Sequence, residues 1–271
     1  MCQVLRVSRS GYYAWTKRPE SARELQDAFI FEQLRKVFDH SRGTYGSIRL
    51  QKALSERGIH CSRKRIIRLM RQGGMVVKTR RKFKATTNSR HNLPVFDNVL
   101  NKEFNSATRP NQVWVSDITY IWTSEGWLYL AAVVDLFSRK VVGWSMDSTM
   151  TADLVSNALD QVVIRQHPGD GLIHHSDRGS QYASNKYTSR LRQYNMIGSM
   201  SKKGDCYDNA CMESFFATLK KELVYHVKFQ TRSSARLAIF EYIEVFYNRQ
   251  RLHSGLGYVT PECKEKSYMA A

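Results

Sequence analysis

The stretch QVWVSDITYIW (residues 112–122) is rich in β-branched and aromatic residues, and its apolar and polar side chains alternate. Such alternation is typical of a β-strand, in which every second side chain lies on the same face of a sheet. One face of this predicted strand carries Val113, Val115, Asp117, Thr119 and Ile121. An acid, Asp117, therefore stands in the middle of a largely apolar strand face.

The segments after this strand predict the kind of sheet that it joins. Residues 125–147 read as two long strands with a turn near residues 136–139, and residues 171–177 and 197–202 read as two short strands. The order β-β-β-α-β-α-β-α indicates an α/β fold, with a mixed five-stranded sheet flanked by helices. Apolar residues at helical spacing predict these helices in residues 151–170, 182–195, 208–224 and, as a long final helix, 233–251.

The composition favours a partner with many negative charges. The 271 residues include 42 Lys and Arg against 24 Asp and Glu, for a net charge of +18. Between Glu56 and Asp97 there are twelve Lys or Arg residues and no acid. This balance favours nucleic acid, although a basic ribosomal or membrane-surface protein would share it. No apolar run approaches the length of a membrane helix, and the five cysteines read as reduced thiols of a cytoplasmic protein.

The N-terminal part of the chain predicts a helix-turn-helix. Residues 21–40 form one amphipathic helix, which we interpret as a packing surface. Two shorter helices follow in residues 44–75, with Gly58 between them and Ser62 as a plausible N-cap of the second. In a helix-turn-helix the second helix enters the DNA major groove, but a solvated basic helix on a helical hairpin is equally consistent with the pattern. The basic residues of this second helix are Arg63, Lys64, Arg65, Arg68 and Arg71.

The sequence predicts five segments in all. An N-terminal helical segment (residues 1–40) precedes the all-α helix-turn-helix region (41–77). A basic linker (78–108), which we expect to follow DNA phosphates, leads to the α/β core (109–250), and a loop-like tail (251–271) ends the chain.

Two further acids occupy positions like that of Asp117. Asp177 ends the fourth predicted strand, and Glu213 opens a predicted helix after an interval of thirty-five residues. The first and fourth strands of this order can lie side by side, which would bring the two aspartates together. The spacing alone is not specific, because the chain contains twelve Asp and twelve Glu residues. If the three carboxylates converge, they need a counter-charge, and Mg²⁺ prefers such hard oxygen ligands.

Three stretches around these acids carry a family resemblance. They are NQVWVSDITYI (residues 111–121), HHSDRGSQYAS (174–184) and DNACMESFFATLKKEL (208–223). Together they resemble the DD(35)E signature of insertion-sequence transposases and retroviral-type integrases, whose catalytic core has an RNase H-like fold. The helix-turn-helix region and the segment FYNRQRLHSGLGYVTPECK (246–264) narrow the resemblance to the insertion-sequence-three family, and to the product of its second reading frame.

This resemblance implies a DNA transposase that cleaves strands at the element ends and joins the new 3′-hydroxyl to another phosphodiester. It implies that Asp117, Asp177 and Glu213 are the catalytic residues and hold two Mg²⁺ ions, for which Mn²⁺ may substitute. It also implies that Lys220, seven residues after Glu213, contacts the terminal DNA. We expect Arg178, His175 and Ser176 beside Asp177 to reach phosphate, and we assign Arg63, Lys64, Arg65 and Arg68 to DNA binding.

The implied partners are duplex DNA, at the element ends and the target, and the product of the upstream reading frame. A homo-oligomer on DNA and a bacterial, nucleoid-associated location also follow from the resemblance. One departure is that the chain lacks the His-His-Cys-Cys zinc module of retroviral integrases. Two other functions remain open from the sequence: a non-catalytic DNA-binding protein, and an RNase H-type nuclease that acts on RNA–DNA hybrids.

Several other residues could be mistaken for site residues. Asp135 also ends an apolar strand, but we interpret it as a turn residue of its hairpin. His174 and His175 are interpreted as structural or near phosphate rather than as metal ligands, since Mg²⁺ prefers oxygen ligands. The strand tryptophans are expected to be core residues rather than base-stacking platforms: Trp114, Trp122, Trp127 and Trp144.

Overall fold

A computed structural model describes residues 2–78, 94–104, 106–202 and 206–270. The chain divides into two compact units, residues 1–77 and residues 78–271. Most of the expected basic linker, residues 79–93, lies outside the described residues. Within the described part of the chain, no helix has the length and apolar character needed to cross a membrane.

The first unit is all-helical. Helix α2 (Ala22–His40) begins at a capping box, in which Ser21 and Glu24 satisfy each other's backbone N–H groups. It packs against α3 (Ser47–Ser55) and α4 (Arg63–Gln72), and the shorter α1 (Arg9–Thr16) precedes it. The predicted packing helix therefore belongs to the same unit as the helix-turn-helix pair. The core of this first unit is formed by Ile30, Leu34, Val37, Leu50, Leu54, Ile66, Leu69 and Met70.

The boundaries of the helix-turn-helix pair follow from local chemistry. Gly58 lies in the connection with a φ of +76°, a conformation that L side chains rarely adopt. Ser62 caps α4 as predicted, since its hydroxyl accepts a hydrogen bond from the N–H of Arg65. A Cβ atom at Gly73 would lie only 2.3 Å from the Phe31 ring of α2, so glycine is needed for α4 to pack there.

The second unit contains the predicted mixed five-stranded sheet, in the order β3-β2-β1-β4-β5. The antiparallel strands are β1 (Val113–Thr123), β2 (Gly126–Asp135) and β3 (Val141–Asp147). The short strands β4 (Ile173–Ser176) and β5 (Ile197–Met200) extend the sheet in parallel from β1. The first and fourth strands are thus neighbours, as the predicted order allows.

Helices cover both faces of this sheet. One face packs on α5 (Ala152–Gln166) and α6 (Asn185–Gln193), through a core that includes Trp114 and Val133. The other face packs on α7 (Ala210–Glu222), on α8 (Arg232–Glu241) and on the π-helical turn that continues α8 (Tyr242–Tyr247). Strand alternation puts Val113, Val115 and Ile121 on this second face, which is the face of Asp117.

Two expectations about the ends of the core were wrong. The tail is not simply loop-like, because Thr260 caps a further helix, α9 (Pro261–Met269), and Glu265 of this helix is buried. Residues 94–104, expected to be part of a linker, pack on β5 instead. The N–H groups of Val99 and Leu100 both donate to the Ser199 hydroxyl, at 3.0 and 3.2 Å, and Leu100 enters the core. In residues 94–104 the apolar residues are separated by polar ones without a regular spacing, so the sequence did not predict this packing.

Candidate active site

The parallel pairing of β1 and β4 brings two acids together. Its register aligns Ser116 with Ser176. Asp117 continues β1 on the sheet face that α7 covers, and Asp177 is the first residue after β4, close enough for its charge to act on Asp117. Both side chains are half-buried. The two aspartates expected to be catalytic are therefore side by side.

The carboxylate of Asp177 is held by the loop that follows β4. The N–H of Gly179 donates to Asp177 Oδ1 at 2.9 Å. A Cβ atom at Gly179 would lie 3.0 Å from the same oxygen and 3.1 Å from Gln181 Oε1. The close approach of the carboxylate therefore requires a residue without a side chain at this position.

Replacement of Gly179 with alanine should displace the Asp177 carboxylate without unfolding the chain. Because the two contacts of 3.0 and 3.1 Å require only a small displacement, we expect strand cleavage to fall by about tenfold, less than the roughly hundredfold loss that a misplacement of about 1 Å at a reacting centre costs. A gel assay of strand cleavage, together with a melting curve, measures the two effects. Gly169→Ala is the matched control, because a Cβ atom there meets nothing within 4 Å. Equal activity of the two variants would contradict this role of Gly179.

Glu213 approaches the two aspartates from the covering helix. It lies in the first turn of α7, which packs on the sheet through Met212, Phe215 and Leu219. Its own side chain is exposed. In the described part of the chain, no three His, Cys, Asp or Glu side chains are close enough to hold a metal ion together. The structure thus brings Asp177 close to Asp117, and Glu213 also acts on Asp117 through its charge.

The electrostatics of the site show a shortage of positive charge. Desolvation raises the pKa of Asp117 well above its ordinary value, and the charges of Asp177 and Glu213 raise it further. The N–H of Ile118, which donates to Asp117 Oδ1 at 2.7 Å, and the ammonium of Lys220 oppose this rise. A divalent cation would remove the repulsion, and carboxylate oxygens are the ligands that Mg²⁺ prefers, so these residues fit such an ion.

Lys220 lies two turns after Glu213 on α7 and faces the same acids. Its ammonium is 4.8 Å from the centroid of the Tyr120 ring on β1. Desolvation lowers the pKa of Lys220, and the charge of Asp117 counteracts this effect. The side chain is therefore positioned close enough to Asp117 for the two charges to interact.

Sequence reasoning missed the contacts that position the start of α7. Asn209, one residue before the helix, donates from Nδ2 to the carbonyl oxygen of Ser116 at 3.1 Å. The buried Asp208 accepts from the N–H of Lys202 at 2.6 Å and from Asn98 Nδ2 at 3.0 Å. An Asp-Asn pair before a helix reads as a local cap, and nothing in the pattern indicated these distant partners. Asp205 lies outside the described residues.

Both histidines before Asp177 are structural. Nε2 of His174 is 2.9 Å from the Ser116 hydroxyl and 3.0 Å from that of Tyr187. Nδ1 of His175 is 2.9 Å from the Ser199 hydroxyl. Desolvation lowers the pKa of His174 to about 3 and that of His175 to about 4, so both rings are neutral at pH 7.

This burial also corrects one expectation about phosphate contacts. His175 and Ser176 are buried and do not reach a phosphate at the surface. Arg178 is half-buried, and its Nε donates to the carbonyl oxygen of Ser201. Of the three residues expected to touch phosphate, Arg178 alone keeps an accessible side chain.

The neutral His174 should make the fold sensitive to acid. In the unfolded chain its pKa returns to about 6.5, so the unfolded state binds one more proton between that pH and about 3. Stability is therefore present above pH 6.5 and is lost as the pH falls, by about 1.4 kcal/mol per pH unit for this residue. Urea denaturation in metal-free buffer should give a shallower pH dependence for His174→Gln. The same change at the exposed His226 should leave the slope unaltered; equal slopes for both variants would contradict the assignment.

Asp135 is a turn residue, as interpreted. Its Oδ1 accepts from both the N–H and the hydroxyl of Ser138 at 2.7 Å, and its Oδ2 accepts from the N–H of Asn111 at 2.8 Å. The side chain is fully buried. These hydrogen bonds use both carboxylate oxygens of Asp135, so this side chain is not available as a ligand of the acidic site.

The basic helix α4 divides into two groups. Arg65 and Arg68 form ion pairs with Asp27 of α2, each at 2.6 Å, and lower the pKa of that acid. Arg63, Lys64 and Arg71 are exposed. Arg65 and Arg68 therefore help to hold the helical unit together, and the three exposed residues present their charge to solvent.

The expectation that the strand tryptophans belong to the core was wrong for two of them. Trp114 is fully buried and Trp144 is half-buried, but Trp122 and Trp127 are 59% and 42% exposed. The latter two lie opposite each other at the turn end of the β1–β2 hairpin. Alternation indicates which face a side chain takes, but among the described residues no helix buries that face at this end.

Comparison with known families agrees with this architecture. Residues 107–206 and 213–266 match models of an integrase core domain, and residues 24–83 match an HTH-like domain. A simian T-cell lymphotropic virus intasome, solved in complex with the PP2A regulatory subunit B56 gamma, is similar in fold, with a TM-score of 0.50 and 16% identity over 79% of this chain and 70% of that one. The fold and the site define an integrase-type polynucleotidyl transferase.

Two curated relatives cover nearly the whole chain. The uncharacterized 31 kDa protein of insertion element IS600 from Shigella sonnei is 48% identical over 99% of this chain and 98% of its own length. The transposase InsF of insertion sequence IS3A from Escherichia coli is 43% identical over 100% of this chain and 94% of its own. The chain belongs to the IS3 family of transposases, as its motifs indicated.

Proposed function

We propose that this transposase cuts and joins DNA strands at the site formed by Asp117, Asp177 and Glu213, with two Mg²⁺ ions bound. The observation that carries the proposal is that the paired strands β1 and β4 place Asp117, in β1, and Asp177, the first residue after β4, close enough for the charge of one to raise the pKa of the other, beside the helix that carries Glu213. When bound, the metal ions activate the attacking oxygen and stabilise the leaving one. Mn²⁺ offers the same preference for oxygen ligands and is expected to substitute.

The residues of the chain have separate roles in the proposed reaction. Asp117 and Asp177 provide ligand oxygens from a rigid sheet, and Gly179 keeps the second carboxylate in place through its N–H. Glu213 completes the acidic set from α7, because its negative charge already acts on Asp117. Lys220 binds the phosphate of the strand being cut, from its position beside Asp117. Arg178 is a second candidate for phosphate contact.

A strand-transfer assay tests this proposal. A labelled duplex that contains the element terminus and flanking DNA is incubated with the chain and Mg²⁺ or Mn²⁺. We expect water to break the phosphodiester at the terminus and leave a 3′-hydroxyl on the element strand, followed by joined products. On a pre-cut duplex, a 3′-dideoxy nucleotide at the terminus should prevent joining, and EDTA should prevent both cleavage and joining. Joined products from the blocked end, or cleavage in EDTA, would refute the proposal.

We further propose that the helix-turn-helix unit binds the element ends, and that the working enzyme is an oligomer on DNA that includes the upstream-frame product. The exposed cations of α4 and the net charge of +18 support DNA binding. Repeating the strand-transfer assay with and without the upstream product tests the second part, because transfer that is equally efficient without that product would contradict it.

The exposed cations of α4 should determine the salt dependence of DNA binding. Replacing both Arg63 and Lys64 with alanine should weaken binding and reduce the slope of log K against log salt by about 2, about one for each lost phosphate contact. Arg65 is left intact because its ion pair with Asp27 supports the fold. Fluorescence anisotropy over a salt series measures the slope. The exposed pair Arg35 and Lys36 of α2, changed in the same way, is the control for net charge; identical slopes for the two double variants would count against the assignment.

A further inference from the structure

Three exposed aromatic side chains form a continuous surface at the turn end of the β1–β2 hairpin. Tyr120, Trp122 and Trp127 are 40%, 59% and 42% exposed. The Trp127 ring is 5.0 Å from the Tyr120 ring and 4.8 Å from the Trp122 ring, both in edge-to-face geometry. Scattered exposed aromatics need no explanation, but a cluster of this kind marks a binding surface. We call these three residues the hairpin aromatic patch.

The charges around the patch are mainly positive. The ammonium of Lys220 lies 4.8 Å from the Tyr120 ring centroid. Arg232 reaches the hairpin from α8 and donates from Nε to the carbonyl oxygen of Trp127 at 3.0 Å. One acid, Glu125, stands in the hairpin turn and accepts from the N–H of Arg232 at 2.8 Å. Aromatic faces edged by two cations match a strand with flat bases and a phosphate backbone.

The patch lies close to the acidic site. Tyr120 is three residues beyond Asp117 on β1, a distance of about 10 Å along the strand. The two side chains are on opposite faces of the sheet. However, β4 pairs with β1 only as far as Ser116, so β1 has no β4 neighbour at Asp117 and Tyr120. Lys220 lies at this edge, because it contacts Tyr120 and its charge also acts on Asp117.

We propose that the hairpin aromatic patch is a stacking platform for unpaired bases at the end of the DNA strand that is cut at Asp117 and Asp177. The proposal rests on the proposed function only for the location of that strand. Stacking on aromatic rings is tolerant of sequence, since every base has a π face. Lys220 and Arg232 would meet the phosphates between the stacked bases. A second copy of the chain is less suited to this surface, because two cations would then be placed against an equally basic partner.

The test compares two DNA probes in the full-length chain carrying Asp177→Asn, so that binding is separated from cleavage. One probe is a blunt duplex, and the other is the same duplex with its terminal pairs mismatched. We expect the mismatched probe to bind more tightly, and Trp122→Leu to reduce this preference by about tenfold. Trp122→Phe, which restores a π face, should retain most of it. A 2-aminopurine base in the mismatched end should lose fluorescence on binding only when residue 122 is aromatic.

Controls separate the possible failures. Tyr268 on α9 is 45% exposed and also contacts another ring, that of Phe137, so Tyr268→Leu should leave the preference unchanged. An unchanged preference in Trp122→Leu would overturn the stacking proposal. The stacking proposal would also be overturned if Trp122→Leu changed the oligomeric state, measured by light scattering, and left the probe preference unchanged. That result would favour a protein interface. Failure of the proposed function has a separate readout, which is persistent cleavage by the Asp177→Asn chain itself.

Discussion

Asparagine in place of Asp177 should abolish strand cleavage in Mg²⁺ while DNA binding stays intact. One ligand charge is lost from a site whose chemistry depends on metal-stabilised charge, which is worth several kcal/mol. Because each 1.4 kcal/mol is a factor of ten in rate, we expect a loss of about a thousandfold or more. The fold should survive, since the amide oxygen of asparagine can still accept the hydrogen bond from the N–H of Gly179. Cleavage of labelled end duplexes and anisotropy with the same duplex measure the two properties.

The matched control is the same substitution at Asp170, an exposed residue of the same unit that accepts a hydrogen bond from Asn195 Nδ2. Asp170→Asn changes the net charge equally but should retain full cleavage. Residual activity in Asp177→Asn comparable to that of Asp170→Asn would remove Asp177 from the active site. Because Asp117 lies close to it in β1, Asp117→Asn should reproduce the loss.

Methionine in place of Arg251 should destabilise the second unit by about 3–5 kcal/mol, the cost of leaving one partner of a buried ion pair uncompensated. Arg251 and Glu222 are 6% and 5% exposed, and Nη2 of the arginine is 2.8 Å from Oε1 of the glutamate. Arg251 Nε and the Tyr242 hydroxyl both donate to Oε2 of the same carboxylate at 2.8 Å. Glu222 is the last residue of α7, the helix that carries Glu213. Urea or thermal denaturation measures the loss.

The chain offers a matched control for this prediction. Arg249 pairs with Glu262 at 3.8 Å, but its side chain is 61% exposed, so Arg249→Met should cost less than about 1 kcal/mol. A double variant, Glu222→Leu with Arg251→Met, should recover part of the stability, because no unpaired charge then stays buried. Equal losses for Arg249→Met and Arg251→Met would show that the buried pair has no special role.

The segment of residues 246–264, which narrowed the family resemblance, therefore contributes to the fold. The Asn248 side chain accepts from the N–H of Val141 and donates to its carbonyl oxygen, both at 3.0 Å, and so pairs with the start of β3. Arg251 neutralises the end of α7. A motif can identify a family through residues that support the site from a distance.

Much of the architecture could be predicted from the sequence, because it depends on neighbours along the chain. Alternation placed Asp117 within β1, and the cap at Ser62 marked the start of α4. The strand order allowed β1 and β4 to be neighbours, which would bring Asp117 and Asp177 together, and the observed sheet has this order. The family resemblance then indicated which acids to consider.

Tertiary structure decided which side chains have partners and which are exposed. The sequence offered Arg65 as a DNA contact, and only the structure shows its ion pair with Asp27, thirty-eight residues away. Trp122 was expected in the core, but the turn end of the hairpin leaves it exposed. The buried pair of Glu222 and Arg251 likewise depends on segments that are distant along the chain. Periodicity specifies the direction in which a side chain points, because backbone geometry repeats locally. What meets that side chain is specified by the packing of distant segments, and this packing sets the burial, charge and pKa of each group.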